Sequence, residues 1–279
     1  MSNEMTVEEL KAQQKAAKTQ IHSKIFINGQ IIAQTGLHIG GNSVSMAIGG
    51  ADNVVARDPI SNKPYIPGSS LRGKIRSLLE RLHGLEDQNS EYGGFSFEKG
   101  QAMSGKNPDT LLGKLFGIAA DNNSEEKQRV TPTRLLVRDA HLSDESAEKL
   151  KNAPNLDMPM TEVKTEVVID RITSAANPRQ FERVPAGVKF NFSLILTLLQ
   201  QDDVKQQKQF FDLICTGLRL LQEDALGGHG SRGYGQVKFL IEPLTYKEHT
   251  HYIEGKDAQP FTGFKIPAEL KVPELEQAE

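Results

Sequence analysis

Two amphipathic helical segments, separated by β-type sequence, constrain the fold of this chain more than any other feature. In the first, which starts near Ser69, apolar residues recur on one helical face; they are Leu71, Ile75, Leu78, Leu79 and Leu82. The second segment covers residues 202–225 and has the same character. Stretches with strand-like composition and alternation surround the two helices, at 24–36, 133–142, 161–196 and 236–244.

The order of these segments is β-α-β-β-α-β once the irregular stretches are set aside, with two long strands predicted in 161–196. This is the order of the ferredoxin-like fold, which RNA-recognition motifs share. The predicted class is therefore α+β, with a ferredoxin-like, RRM-like palm within residues 21–245.

Four segments fall outside this palm core. A glycine-rich, polar insertion at 84–130 is expected to form a lid region with at least one short helix. A long β-hairpin is predicted at 161–190, with its turn around SAANPRQ at 174–180. Thr6 and Glu9 form a capping box, which predicts a helical extension within residues 1–20. The acidic tail at 246–279 is expected to wrap the surface or stay mobile.

Composition excludes several classes of protein. The 279 residues carry a net charge of −3, so any nucleic-acid binding would have to use local positive charge. The single cysteine, Cys215, lies on an apolar helix face and is expected to be a core thiol. The sequence contains no stretch of about 18 apolar residues, so we expect no membrane contact and a cytoplasmic location.

The stretch PGSSLRGKIR at 67–76 nearly matches a phosphate-binding P-loop. The residue after the lysine is Ile75, where nucleotide hydrolysis needs a Ser or Thr for Mg²⁺, so that activity is not expected. The helix start still suits an anion, because two serines are expected to cap it and basic residues follow without an acid between them. These residues are Ser69, Ser70, Arg72, Lys74 and Arg76. An ordinary capped helix with solvated basic side chains is an equal alternative.

A group of arginines in the predicted strands indicates ligand contact, because guanidinium groups bind phosphate bidentately and stack on bases. They are Arg134, Arg138, Arg171, Arg179 and Arg183. For any single arginine, charge protection of a strand edge is the better interpretation.

The stretch GGHGSRGYG at 227–235 contains five glycines, more than a plain turn needs. We therefore expect a ligand to approach the backbone closely around Gly228, His229, Gly230 and Arg232. The overlapping RGYGQVKF is similar to the RNP1 motif of RNA-recognition motifs, but Gln236 replaces the stacking aromatic and the motif lies on the last strand rather than the third.

A second glycine-rich loop, at 36–55, contains the best candidates for chemistry, His38 and Asp52. An aspartate in such a loop is usually a turn former. If RNA phosphate lies beside the loop, however, the Asp52 carboxylate could hold Mg²⁺ or orient a 2′-hydroxyl for in-line attack. Asp58 precedes a proline and is interpreted as a turn residue.

These motifs, in this order, resemble the backbone RAMP subunits of type III-A CRISPR effector complexes. The resemblance covers roughly residues 24–245 and depends on TGLHIGG, AIGGAD, IPGSSLRGK, the NPRQFER hairpin and GGHGSRGYG. One departure is the pair after the aspartate, Asn53 and Val54, where relatives carry Ser-Pro.

The resemblance implies that copies of the chain, together with other subunits of the complex, form a filament on a CRISPR RNA. It also implies that a hairpin thumb inserts between bases. If TSAANPRQFE at 173–182 is the tip of this thumb, Pro178 stiffens it and Phe181 or Ile172 acts as the wedge. Complementary target RNA would be cut opposite each thumb, with Asp52 as the catalytic residue and the ligand of Mg²⁺ or Mn²⁺.

Three alternatives remain open at this stage. The chain could be a non-cleaving RNA scaffold of the same fold, in which Asp52 is only structural. It could be a RAMP endonuclease that processes precursor CRISPR RNA. It could also be a nucleotide-dependent enzyme that uses residues 67–76.

Overall fold

The computed structural model describes residues 19–41, 54–87, 89–98, 100–118 and 132–273. Its strands and helices, in chain order, are β1 (Ile21–Ala33), β2 (Tyr65–Ile66), α1 (Gly68–His83), β3 (Phe95–Glu98), β4 (Gln101–Ser104), α2 (Leu111–Phe116), β5 (Leu135–Val137), β6 (Ala140–Leu142), α3 (Asp144–Lys151), β7 (Glu162–Ile169), β8 (Ala176–Arg183), β9 (Lys189–Leu199), α4 (Val204–Glu223), β10 (Val237–Ile241), β11 (Thr245–Glu248), α5 (His249–Ile253) and β12 (Gln259–Pro260). The helix predicted within residues 1–20 lies outside the described residues.

The main sheet is antiparallel, and its central strand order is β10–β1–β9–β5. The first and third strands of the β-α-β-β-α-β series therefore lie in the centre, which confirms the predicted ferredoxin-like palm. The predicted strand at 133–142 is in fact two short strands, β5 and β6, which both pair with β9. The two-residue break between them lies beside the start of α1.

The core lies between the sheet and the two long helices, α1 and α4. Leu71, Ile75 and Leu79 are fully buried, whereas Leu82, which was predicted on the same face, is 55% exposed. The helices approach closely, because a Cβ at Gly217 would lie 2.5 Å from Ile75 Cγ2. Cys215 is buried as predicted, and burial raises the pKa of its thiol to about 12.

The insertion and the tail both pack onto the palm. Within the described part of the insertion, β3 and β4 form a hairpin, and α2 is the predicted short helix. The tail wraps the surface and extends the sheet, since β11 pairs with β1. Phe264 stacks on Phe211 with 4.9 Å between ring centroids, and Leu270 is fully buried. No helix among the described residues is long and apolar enough to cross a membrane.

Strands β7 and β8 form a separate two-stranded arm, paired from Glu162↔Arg183 to Ile169↔Ala176. The segment 161–196 therefore contains three strands, since β9 follows the arm and returns to the sheet. Pro178 is tolerated in β8 because no third strand pairs with this arm among the described residues.

Candidate nucleic-acid interface

Backbone hydrogen bonds join the described residues on either side of the segment that contains Asp52. Residues 42–53, and therefore Asp52 itself, lie outside the described residues. On either side of them, the Gly41 N–H donates to Val54 O at 3.0 Å and the Ala56 N–H donates to Ile39 O at 2.8 Å. A Cβ at Gly41 would lie 2.9 Å from Ala56 Cα and Val55 O, so this close pairing requires glycine.

Glu182 connects these paired residues to the β-hairpin arm. Its side chain is fully buried. Its Oε2 accepts the Val55 N–H at 2.8 Å, while Oε1 accepts from Arg57 Nη2 at 2.5 Å and from Thr161 Oγ1 at 2.6 Å. Since Thr161 precedes β7 and Glu182 lies in β8, both strands of the arm are fixed to the end of the Asp52 loop.

His38 lies between the arm and the second glycine-rich loop. It is 7% exposed, and its Nδ1 lies 2.6 Å from the Glu182 carbonyl oxygen. A carbonyl can only accept, so Nδ1 carries the proton. The Gly228 N–H donates to His38 O at 2.9 Å, and a Cβ at Gly227 would lie 2.2 Å from that oxygen. The predicted close approach in this loop is therefore to the palm backbone at His38.

The arm meets the glycine-rich loop at 227–235 at a place that we call the junction. A pocket of about 250 Å³ lies there, and its lining residues are Glu166, Val168, Arg179, Phe181, His229 and Arg232. Phe181 is 5% exposed, and its ring centroid lies 4.3 Å from that of His229. It is therefore a buried residue at the base of the arm. Arg232 Nη1 lies 3.2 Å from both Glu166 Oε2 and His229 Nδ1. Burial, and then the neighbouring His38, lowers the pKa of His229.

The tip of the arm is a hydrogen-bonded turn at residues 170–175. Asp170 Oδ1 accepts the N–H groups of Ile172 and Thr173, at 3.0 and 2.7 Å, and the Thr173 hydroxyl at 2.9 Å. Ile172 is 93% exposed at this tip. Of the two candidate wedges, Ile172 therefore lies at the tip, whereas the prediction that Phe181 lies there is wrong.

Asp58 forms a turn of the same design. Its Oδ1 accepts the Ile60 N–H at 3.2 Å and the Ser61 N–H and hydroxyl at 2.7 Å each. These hydrogen bonds, first of all those of Ser61, lower the pKa of Asp58. The interpretation of Asp58 as a turn residue is confirmed, and its carboxylate is already engaged.

The start of α1 differs from the prediction in its cap. Helix α1 begins at Gly68, and Pro67 at the N-cap provides no side-chain hydrogen bond. Instead the Gly68 N–H donates to Asp139 Oδ1 at 2.7 Å. The expectation that Ser69 and Ser70 cap the helix is therefore wrong, because the Asp139 carboxylate takes that role; both hydroxyls are without a hydrogen bond to any described residue.

The basic residues of α1 have different partners. Arg72 Nη2 donates to the Phe116 carbonyl, and Arg76 donates to the carbonyls of Gly117 and Gly105 at 2.8 and 3.2 Å. Lys74 is one-third exposed and pairs with Asp224 at 3.2 Å. Arg72 and Arg76 thus hold the insertion against the palm, and the phosphate contact predicted for the cluster stays a prediction.

The five strand arginines also differ in their surroundings, since one is buried and most of the others are exposed. The side chain of Arg134 is 0% exposed and pairs with Asp202 through two hydrogen bonds of 2.9 Å. The prediction that Arg134 binds a ligand is wrong, because a guanidinium without exposed surface cannot reach phosphate. The other members are Arg138, Arg171 and Arg179, which are exposed, and Arg183, which is half-buried against Glu162.

Four residues of the interface were not found by sequence reasoning. Glu182 and Arg57 were overlooked because their partners are more than 100 residues away in sequence. Tyr234 lies within RGYGQVKF but was assigned no role, and it is 1% exposed. Lys164 contacts its ring at 4.5 Å. The signal that could have found Tyr234 is its position between two glycines.

Comparisons with known proteins fit this fold. The RAMP superfamily pattern matches residues 30–238. The protein named CRISPR system Cms endoribonuclease Csm3 from Methanothermobacter thermautotrophicus is 41% identical over 224 residues, which are 76% of this chain and 82% of the relative. The protein of the same name from Streptococcus thermophilus is 42% identical over 221 residues, which are 78% of this chain and 87% of the relative.

Among solved structures, the crystal structure of Methanopyrus kandleri Csm3 shares the fold. It matches 84% of this chain and 80% of its own, with a TM-score of 0.56 and 21% sequence identity. The chain therefore belongs to the RAMP superfamily and, within it, to the Csm3 family of CRISPR endoribonucleases.

Proposed function

We propose that this chain is the backbone subunit of a type III CRISPR interference complex, in which copies line up on a CRISPR RNA beside other subunits. Each copy would cut complementary target RNA, so that the cuts recur at regular intervals. The observation that carries the proposal is the buried Glu182, which joins the base of the hairpin arm to the end of the Asp52 loop. A single rigid frame thus supports the element that would open the RNA and the loop that would cut it. Guide and target transcripts are cytoplasmic, and we place the complex there.

Guide RNA would be bound through phosphates, without reading its sequence. Arg179 and Arg232 line the junction pocket and keep exposed guanidinium surface, which suits phosphate. A second contact would form at the start of α1, where the Ser69 and Ser70 hydroxyls make no hydrogen bond to a described residue and the backbone of the exposed Arg138 lies beside Gly68. His38 would contribute through Nε2, because its Nδ1 is already engaged.

The arm would separate neighbouring bases with its tip. Ile172 presents an apolar side chain at a turn fixed by three hydrogen bonds to Asp170, so its insertion costs little ordering entropy. Arg171 beside it is exposed and would meet the backbone phosphates. A nucleotide displaced by this wedge could adopt the in-line geometry that cleavage requires.

The cut would start at the 2′-hydroxyl of the target ribose beside the scissile phosphate. The 2′-oxygen attacks the adjacent phosphorus, and the bond from phosphorus to the 5′-oxygen of the next nucleotide breaks. The 2′-proton passes to solvent and the leaving 5′-oxygen takes up a proton, which gives a 2′,3′-cyclic phosphate and a 5′-hydroxyl. Asp52 would orient the 2′-hydroxyl, a contribution of about 10²–10⁴ in rate.

A divalent cation, Mg²⁺ or Mn²⁺, would supply positive charge beside the scissile phosphate when bound. Asp52 would be its protein ligand, and an aspartate carboxylate is the kind of oxygen donor these cations prefer. The described residues contain no group of three His, Cys, Asp or Glu side chains that could hold a metal. The remaining ligands would therefore come from RNA phosphate and water.

The test is purification of the chain from its own cells, followed by extraction of bound nucleic acid and sequencing. A bound small RNA with a constant, repeat-derived end is the expected result, and the purified complex should cut complementary RNA at regular intervals. Bound guide without target cutting would support the non-cleaving scaffold instead. Cleavage of a repeat hairpin by the isolated chain would support precursor processing.

A further inference from the structure

The ring of Tyr234 points into the protein because of the two glycines beside it. Gly233 and Gly235 have φ angles of +81° and +74°, which side chains other than glycine rarely adopt. A Cβ at Gly235 would also lie 2.1 Å from the Leu226 carbonyl oxygen. This backbone leaves Tyr234 only 1% exposed, so it cannot stack on an RNA base.

Cations from both strands of the hairpin arm contact this ring. Lys164 Nζ, from β7, lies 4.5 Å from the ring centroid, and Arg183 Cζ, from β8, lies 5.0 Å from it. Both distances are within the range of cation–π attraction. The glycine-rich loop therefore holds the two strands of the arm through one aromatic side chain.

Carboxylates fix the two cations in place. Arg183 Nε pairs with Glu162 Oε1 at 2.7 Å, and Lys164 Nζ lies 3.5 Å from Glu166 Oε1. Glu166 also pairs with Arg232 of the glycine-rich loop at 3.2 Å. The contact is consequently a small charge network around the ring, with members on the arm and on the loop.

The network also contacts the palm, at Gly36. The Gly235 N–H donates to Gly36 O at 3.0 Å. The Arg183 side chain lies so close to Gly36 that an added Cβ would be 2.4 Å from its Cδ. Arg183 thus lies against the palm backbone on one side and the Tyr234 ring on the other.

The hydroxyl of Tyr234 lies beside the Glu166 carboxylate, without the geometry of a hydrogen bond. It is buried and has no hydrogen-bond partner among the described residues. Burial, and then the nearby Glu166 carboxylate, raises the pKa of Tyr234 to about 12, so the ring is neutral at physiological pH. The aromatic face is the part that contacts the two cations of the arm.

We propose that Tyr234 is a positioning residue that fixes the direction of the hairpin arm relative to the palm. It would act through Lys164 and Arg183, and through them set where the tip meets the RNA. The second half of this statement rests on the proposed function, whereas the first half concerns the free protein alone.

The direction of the arm can be measured with two spin labels on the free chain. The native Cys215 is buried, so labels attach selectively to Ile172→Cys at the tip and Val204→Cys on the palm, positions that are 93% and 80% exposed. We expect a narrow distance distribution in the wild-type background and with Tyr234→Phe, because the ring is retained. Tyr234→Leu should at least double its width.

Two controls keep this test decisive. A label pair at Val204→Cys and Lys238→Cys lies wholly on the palm and should keep its width in every variant. If Tyr234→Leu does not fold, Lys164→Met removes one cation and should broaden the tip distribution partly, while Lys238→Met should not. An unchanged tip width in the folded Tyr234→Leu or Lys164→Met variant, or equal broadening by Tyr234→Phe, would overturn the proposal.

The second half of the proposal, that Tyr234 sets where the tip meets the RNA, is tested by mapping the cut sites in target RNA. With Tyr234→Leu, guide binding should stay within a few-fold while the cuts spread to neighbouring nucleotides, and Tyr234→Phe should restore single cuts. Unchanged cut sites in a variant with a broadened arm would overturn this half. A wild-type protein that binds no guide would instead contradict the proposed function and leave the distance measurement decisive.

Discussion

The insertion side of α1 and the hairpin junction contain the same kinds of residue and use them differently. On α1, Arg72 and Arg76 donate to the carbonyls of Phe116, Gly117 and Gly105, so part of their hydrogen-bonding capacity is used within the chain. At the junction, Arg179 is exposed and makes no ion pair with a described residue, and Arg232 is half exposed although it contacts Glu166.

The difference lies in the acceptors rather than in the arginines. Loop carbonyls of the insertion surround the α1 guanidinium groups, whereas one carboxylate and an open pocket face those of the junction. A guanidinium has five N–H donors, and only those left without protein acceptors can bind phosphate. Basic residues in a sequence therefore indicate RNA contact only where the fold leaves their donors free.

The largest effect on target-RNA cutting is expected from substitution of Asp52. The comparable acid nearby, Asp58, already accepts three hydrogen bonds within its own turn. Asp52→Ala should reduce target-RNA cutting by about 10²–10⁴ and leave guide and target binding within a few-fold. Addition of EDTA to the wild type should have the same effect, and target DNA should resist cutting because it lacks the 2′-hydroxyl. Asp58→Asn is the matched control. Full-rate cutting by Asp52→Ala would contradict the assignment.

The next largest effect is the loss of stability expected when the buried Arg134 is replaced. Arg134→Met leaves the buried Asp202 carboxylate without its partner and should lower the free energy of unfolding by about 3–5 kcal/mol. Denaturant unfolding checks this. The double variant with Asp202→Asn should recover part of the loss, and guide affinity per folded molecule should not change. A loss of guide affinity in the folded fraction would show that Arg134 does reach RNA.

A smaller loss of stability is expected for Arg76→Met. The substitution removes hydrogen bonds to two carbonyls and the pair with the largely buried Glu80, and it should cost about 2–3 kcal/mol. Limited proteolysis should then cut the insertion faster than the palm, because Arg76 connects the two. Unchanged proteolysis would mean that the insertion is held by other contacts.

The smallest expected effect is the pH dependence at the junction. The pKa of His229 is lowered in the folded state, so below about pH 6.5 the unfolded chain takes up a proton that the folded chain does not. Stability should therefore decrease as the pH falls from about 7 towards 5. Thermal unfolding across this range should show a shallower decrease for His229→Gln, whereas the exposed His22→Gln should follow the wild type.

The fold could be predicted because both helices and the main strands repeat their apolar residues with clear periods. The turn of the arm was expected around residues 174–180, but it lies at 170–175, where Asp170 accepts three hydrogen bonds. A D-x-x-T pattern was the available signal. Once the turn moves, Phe181 becomes a buried residue at the base of the arm.

The site was less predictable because its members depend on distant partners. Arg134 and Arg138 are similar in sequence, yet only Arg134 faces Asp202, which is 68 residues away. The cap of α1 comes from Asp139, 71 residues beyond the helix start, and this contact leaves the two serines free. No local pattern distinguishes an arginine that meets a buried carboxylate from one that meets solvent.

The central claim is that the junction, and not the insertion side of α1, binds the guide. The most direct measurement is guide-RNA affinity as a function of salt for two matched double variants, Arg179→Ala with Arg232→Ala and Arg72→Ala with Arg76→Ala. The first should lose about tenfold per removed contact and reduce the salt slope by about 1.4, on all guide sequences alike. The second should keep the wild-type slope in its folded fraction. The reverse pattern, with the slope lost only in the α1 variant, would contradict the claim.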